Sequence, residues 1–159
     1  MIMRGLVIVF LLPLLFTGCV SISSEKLPVG TKIEIIDSTT ETTYFNPYSK
    51  DTLDTKLIRQ KILQLTIGEL HKRSIETVLT PSPGAAKLTY NIAHIRIKKG
   101  EFEIGYFASL SAADGRILFD DKDEKDGDGL DEAMEKIARR VARSTDDSFP
   151  SPPQKGGYR

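Results

Sequence analysis

The residues best able to do chemistry lie in the stretch DKDEKDGDGLDE, Asp121 to Glu132. With Gly129 at the sixth position of a twelve-residue loop, Glu124, Asp126, Asp128 and Glu135 take the first, third, fifth and twelfth. Those are the ligand positions of a calcium loop. Carboxylates on alternate residues around a sharp glycine turn, closed by a bidentate glutamate, supply the roughly six to eight oxygens that Ca2+ takes. Three features depart from that pattern: the first ligand is Glu, Gly127 loosens the loop, and Asp131 stands where an apolar residue would join the loop to the core. The same residues also make a helix entry. Asp128 can cap a helix starting near Leu130, with Asp131 and Glu132 in the first turn, where the helix dipole favours negative charge. Lys122 and Lys125 neutralise part of the cluster. Helix entry is the primary reading and Ca2+ the alternative.

Other chemistry is sparse. The two histidines, His71 and His94, belong to no metalloprotease, Cys/His or Ser/His/Asp pattern, and no phosphate loop or nucleophile elbow occurs. No catalytic residue is therefore assigned, and the protein is expected not to be an enzyme. Lys plus Arg and Asp plus Glu balance at 22 each, so no net field draws the chain onto nucleic acid.

The single cysteine, Cys19, is the other reactive group. It follows an eighteen-residue segment whose only charge is Arg4 and whose apolar run is about a dozen residues, too short for the roughly 20 that span a bilayer. A secretory leader over 1–18 is expected. "LFTGC" resembles the lipobox of bacterial lipoprotein precursors, which implies that Cys19 is acylated and becomes the mature N-terminus. No intrachain disulfide is possible, and several acyl chains at about 0.8 kcal/mol per buried methylene hold stably where one would not. Val20, rather than Asp, after the cysteine implies the outer membrane, facing the periplasm.

These groups need a scaffold to position them. Residues 19–30 are polar and expected to be a tether, followed by a domain over 31–148 and a Pro, Gly and Ser rich tail over 149–159 expected to be disordered. "TKIEIID" alternates as a strand, and the Thr-rich connection after it carries Tyr44, Phe45 and Tyr48. In this loop, 39–52, Phe45 and a tyrosine are expected to fold onto the sheet; exposed, they would form a partner-binding edge. The spacing of Leu57, Ile58, Ile62, Leu65 and Leu70 predicts a helix over 53–73, capped by Asp51 or Thr52. A short strand in "SIETVLTP" follows. From Lys87 to Asp121 the period changes to two, with a bulge near Ala93 and His94, a turn at Lys99 and Gly100, and a hairpin at Asp114 and Gly115. Leu130, Met134, Ile137 and Val141 mark a last helix to Arg143. The expected fold is α+β, in the order βαβββα, with two helices on one face of a mostly antiparallel sheet.

The "FTGC" site, "KIEII" before a long helix, "AAKLTYNIAHIRI", "EIGYFASLSAADGRILFD" and "GLDEAMEKIARRVA" together resemble small bacterial lipoproteins with one periplasmic βαβββα domain. These include the lipopolysaccharide-assembly lipoprotein LptE and uncharacterised relatives. The resemblance implies a non-enzymatic accessory role, a membrane reached through the lipid on Cys19, and an envelope protein as partner. Its alternative is a calcium-stabilised periplasmic domain.

Overall fold

The computed structural model describes residues 22–151, so the leader, Cys19 and the end of the tail lie outside the described residues. Two long hairpin-linked strands set the frame. In β4 (Ala86–Lys98) Leu88, Tyr90 and Ile92 point to one side, and in β5 (Glu101–Ser111) Ile104, Tyr106, Ala108 and Leu110 do so without a break; all are buried. Each large apolar side chain taken from water contributes about 1.5–3 kcal/mol. Lys99 and Gly100 both have positive φ, 54° and 87°, matching a two-residue turn whose twist suits the strands it joins.

The fold is α+β. Its elements are β1 (Ile33–Asp37), β2 (Thr43–Phe45), α1 (Thr55–Lys72), β3 (Thr77–Val78), β4, β5, β6 (Ile117–Gly127) and α2 (Leu130–Asp146). The strands form one six-stranded sheet ordered β3-β1-β4-β5-β6, with β2 beside the lower half of β4. The long pairs β4–β5 and β5–β6 are antiparallel, and the short strands β1, β2 and β3 join in parallel. Both helices lie on the same face, and no helix among the described residues is long and apolar enough to cross a membrane.

On α1 the buried stripe is Ile58, Ile62, Thr66 and Leu70, one residue per turn, with the Thr66 hydroxyl donating to the Ile62 carbonyl at 2.8 Å. Its cap is Asp54, whose Oδ1 accepts from the Leu57 amide at 3.0 Å, so the helix starts later than Asp51 or Thr52 would place it. Leu57, expected in the stripe, is exposed. On α2, Met134, Ile137 and Val141 are buried as expected, and Ala133, Ala138 and Ala142 let the helix approach the sheet closely.

Three boundaries differ from expectation. β6 does not stop at Asp121 but continues through the acidic run to Gly127. Leu27, inside the expected tether, is a core residue at 3% exposure, and its amide donates to the Ser148 carbonyl at 2.8 Å. Phe149, at the start of the expected disordered tail, packs against the core. The second hairpin is also of another kind: Ala112 bonds Arg116 at 2.8 Å and only Gly115 has positive φ, giving a three-residue loop in which Asp114 instead caps the Arg116 amide through its carboxylate.

Candidate functional site

The stretch whose alternative reading is a calcium loop is strand as far as Gly127 and helix from Leu130. Glu124 and Asp126 lie on β6 opposite Gly105 and Glu103 of β5, Asp128 follows the strand, and Glu135 lies on α2. Glu124 receives Arg96 Nη2 at 3.2 Å. Asp126 stands on the sheet, its backbone carbonyl accepting from Lys136 Nζ at 2.9 Å. Asp128 does not cap α2: the N-cap is Gly129, with no side-chain bond, and the Asp128 amide donates to Glu132 Oε2 at 3.0 Å. Glu135 pairs with Arg139 one turn along α2. Ligand spacing in sequence becomes ligand convergence only if the backbone coils, and an extended strand places alternate residues roughly 7 Å apart.

A different cluster forms on the sheet face away from the helices. The bulge near Ala93 creates it. Pairing runs from Ile92–Tyr106 directly to His94–Gly105, so one residue is inserted and the faces exchange. His94 would otherwise share the core face with Ile92; the bulge turns it outward beside Arg96, while Ile95 takes the buried side. Across the strands, His94 Nε2 lies 3.5 Å from Glu124 Oε1 and 3.8 Å from Glu103 Oε1. Neither approach has hydrogen-bond geometry, and that nitrogen is buried without a partner. The ring rests over Gly105, which lacks the Cβ that would overlap it.

Arg96 ties the cluster together. Its Nε donates to Glu103, its Nη2 reaches Glu124, and Lys98 Nζ stands 3.7 Å from Glu103 Oε2. The Glu103 side chain is only 5% exposed. Burial pushes its carboxyl up, but the Arg96 hydrogen bond and the charges of Arg96 and Lys98 outweigh that and leave it below its ordinary value. The hydrogen bond to Glu103 in turn raises the Arg96 guanidinium. Donor atoms of His94, Glu103 and Glu124 all lie within 4.8 Å of one another, a set that a first-row divalent ion could use. The guanidinium already lies on both carboxylates, however, and delivers the positive charge a metal would bring. As built, the cluster is an ionic clamp across three strands.

His71 has no part in it: its Nε2 lies 3.0 Å from Thr77 Oγ1 at the end of α1. The Thr-rich connection has a structural task. β1 pairs with β4 as far as Tyr90, and β2 resumes at His94. The gap is filled by side chains: Ser38 and Thr42 hydroxyls donate to the Tyr90 and Ile92 carbonyls at 2.9 and 2.8 Å, and Thr39 Oγ1 accepts from the Ile92 amide at 3.0 Å. Tyr44 packs on the core, but Phe45 is 62% exposed and Tyr48 also faces solvent, contrary to the expected fold-back. Phe45 registers with Arg96 and therefore lies on the outer face. Phe107, partly exposed, shares that face through its alternation with Tyr106 and Ala108.

No family model and no curated protein matches the chain, so the resemblance to LptE-like lipoproteins rests on sequence patterns. Among solved structures the chain is similar to the PelC dodecamer from Paraburkholderia phytofirmans in two crystal forms. For a point variant, identity is 15% over 81% of this chain and 95% of that chain, with a TM-score of 0.52. For the other form the values are 16%, 77%, 90% and 0.52. A minor lipoprotein from Acinetobacter baumannii is a looser neighbour, at 8% identity over 66% of this chain and 91% of that chain, TM-score 0.36. The likeness to PelC at these identities shows a shared α+β fold.

Proposed function

We propose that this chain is a lipid-anchored envelope lipoprotein, a non-enzymatic module that binds a protein partner through the outer face of its sheet. One observation carries the reading. The helices cover one face, and the other presents Phe45 and Phe107 around the Arg96–Glu103–Glu124 clamp. Aromatic anchors beside ordered charges are the make-up of a protein-binding surface. The leader and the "FTGC" site support the envelope location. Similarity in fold to proteins that form dodecamers makes a second copy of this chain the first partner to test.

Photo-crosslinking residues placed at Phe45 and Phe107, and at Lys56 on α1 as a control, would test the surface in living cells. The expected result is a discrete protein adduct, homomeric or heteromeric, from the two sheet positions and not from Lys56. Equal labelling at all three would remove the assignment. The anchor has its own check: Cys19→Ser should accumulate as an uncleaved precursor that takes up no labelled fatty acid.

A further inference from the structure

We infer that the end of the domain where β1, β4 and β6 begin is seated on the phospholipid surface that holds the acyl chains of Cys19, an orientation that rests on the lipoprotein reading above. β1 and β4 are parallel, and two antiparallel steps carry that direction on to β6, so Ile33, Ala86 and Ile117 share one end. Both helices finish there, where Arg73 Nη1 after α1 meets Asp146 Oδ2 of α2 at 3.1 Å.

The described chain also enters at this end. Ile22 bridges Ile117 in the parallel sense, and the Ser23 amide donates to the Ile117 carbonyl at 2.7 Å. Glu25 pairs with Arg116, and Lys26 Nζ donates to the Asp147 carbonyl. A free linker over the dozen residues 19–30 would spread over roughly 19 Å. Because the chain is fastened from Ile22 onward, three residue steps remain to Cys19, a reach of about 10 Å at full extension. This end therefore cannot leave the lipid surface while the anchor stays in it.

Its chemistry suits that place. Ile22 is 57% exposed, and Val29, at the tip of the turn in which the Thr31 amide bonds the Pro28 carbonyl, is 85% exposed. Apolar side chains beside an acyl anchor gain by entering the headgroup boundary. Lys32, Arg73 and Arg116 are each paired with a carboxylate, so apolar contact and the acyl chains, rather than net charge, supply the hold. The outer face carries Asp120, Glu124 and Asp126 beside Lys122, Arg96 and Lys98, so it offers an anionic leaflet no net attraction. Upright, the His94–Glu124 row stands about 24 Å from the Ile117 end, at ~3.4 Å per strand residue.

The test uses the mature acylated protein in phosphatidylethanolamine and phosphatidylglycerol vesicles, with nitroxide labels on Val29→Cys or Glu101→Cys and the Cys19 thiol already consumed. Accessibility to a water-soluble nickel chelate should be several-fold lower at position 29 than at 101, with oxygen accessibility reversed. Equal accessibility, or protection at 101, overturns the orientation. Mass analysis of the same sample separates the two claims: acylated protein with equal accessibility fails the orientation alone, and protein without acyl chains fails both.

Discussion

The imidazole of His94 occupies the volume that a side chain at position 105 would need: a Cβ built on Gly105 overlaps its Cε1, Nδ1 and Nε2. Strand pairing places the two residues directly opposite each other, next to the bulge that turned His94 outward. Gly105→Ala should therefore cost about 1–3 kcal/mol, the range for overfilled sites. Adding His94→Ala should recover most of it, since the three atoms nearest that Cβ all belong to the ring. Urea unfolding of the two single variants and the double variant measures the coupling; additive losses would contradict the packing.

Gly127 gives the opposite case. Its absent Cβ would stand 2.6 Å from the Ala133 amide nitrogen and 2.8 Å from the Gly129 carbonyl oxygen, both backbone atoms at the start of α2. Gly127→Ala should destabilise by about 2 kcal/mol or more, because backbone cannot rotate away as a side chain can. No single truncation nearby should rescue it, and thermal melts of Gly127→Ala with and without Glu132→Ala check this.

Glu103 links acidity to stability. Its folded carboxyl sits below its ordinary value of 4.5, so the unfolded chain binds a proton first as pH falls. Stability contributed by this group is present above that value and is lost as pH drops through the lowered folded value. Glu103→Gln should flatten the stability profile below pH 4.5 while leaving Arg96 without its main partner at neutral pH. Denaturant midpoints across that range measure both effects; an unchanged acid limb would show that other carboxylates govern it.

The Tyr90 hydroxyl is buried with no hydrogen-bond partner, and burial, then the negative charge of Asp37, pushes its ionisation above the ordinary value. Tyr90→Phe removes an unsatisfied polar group without opening a cavity. Its stability should equal the wild type or exceed it by up to about 1 kcal/mol. Above pH 10.0 the unfolded wild type releases this proton while the folded form keeps it, so the variant should lose less stability in alkali.

Calcium should leave the protein unmoved. Glu124 is held by Arg96 on the sheet and Glu135 by Arg139 on α2, while Asp126 lies on β6 and Asp128 just after it, so these four residues make no assembled site through which millimolar Ca2+ could stabilise the folded state. A rise in melting midpoint with Ca2+ that disappears in the Asp126→Asn, Asp128→Asn double variant would reverse this.

Much of the architecture was legible because it is written in burial. Leu88, Tyr90 and Ile92 in β4, the clean alternation of β5 and the stripe of α2 all repeat with the period of their element. The bulge was visible as a change of phase between Ile92 and Ile95. β6 was not legible beyond Asp121, because its later residues, Lys122 to Asp126, are charged on both faces of an edge strand and carry no apolar period. The clamp was hidden for another reason. His94, Glu103 and Glu124 are distant in sequence and meet only through the register of two hairpins. One signal was available: Arg96 and Glu103 stand equally far on either side of the Lys99–Gly100 turn, which a two-residue turn converts into a cross-strand pair. Phe45 misled because β2 is too short to show which of its aromatics faces inward.

The charged run that first looked like a cation trap lies along the sheet's outermost strand, which Ile22 and Ser23 meet at Ile117. Proteins confined to a membrane plane collide far more often than the same number dissolved in the volume beside it, and an open β rim is a template for endless strand-by-strand polymerisation. Asp120 to Asp126 make that stacking electrostatically and sterically poor. On the proposed anchor the acids guard against crowding: a chain with the same fold but threonines along β6 should fold as well in dilute solution and precipitate once concentrated on a bilayer.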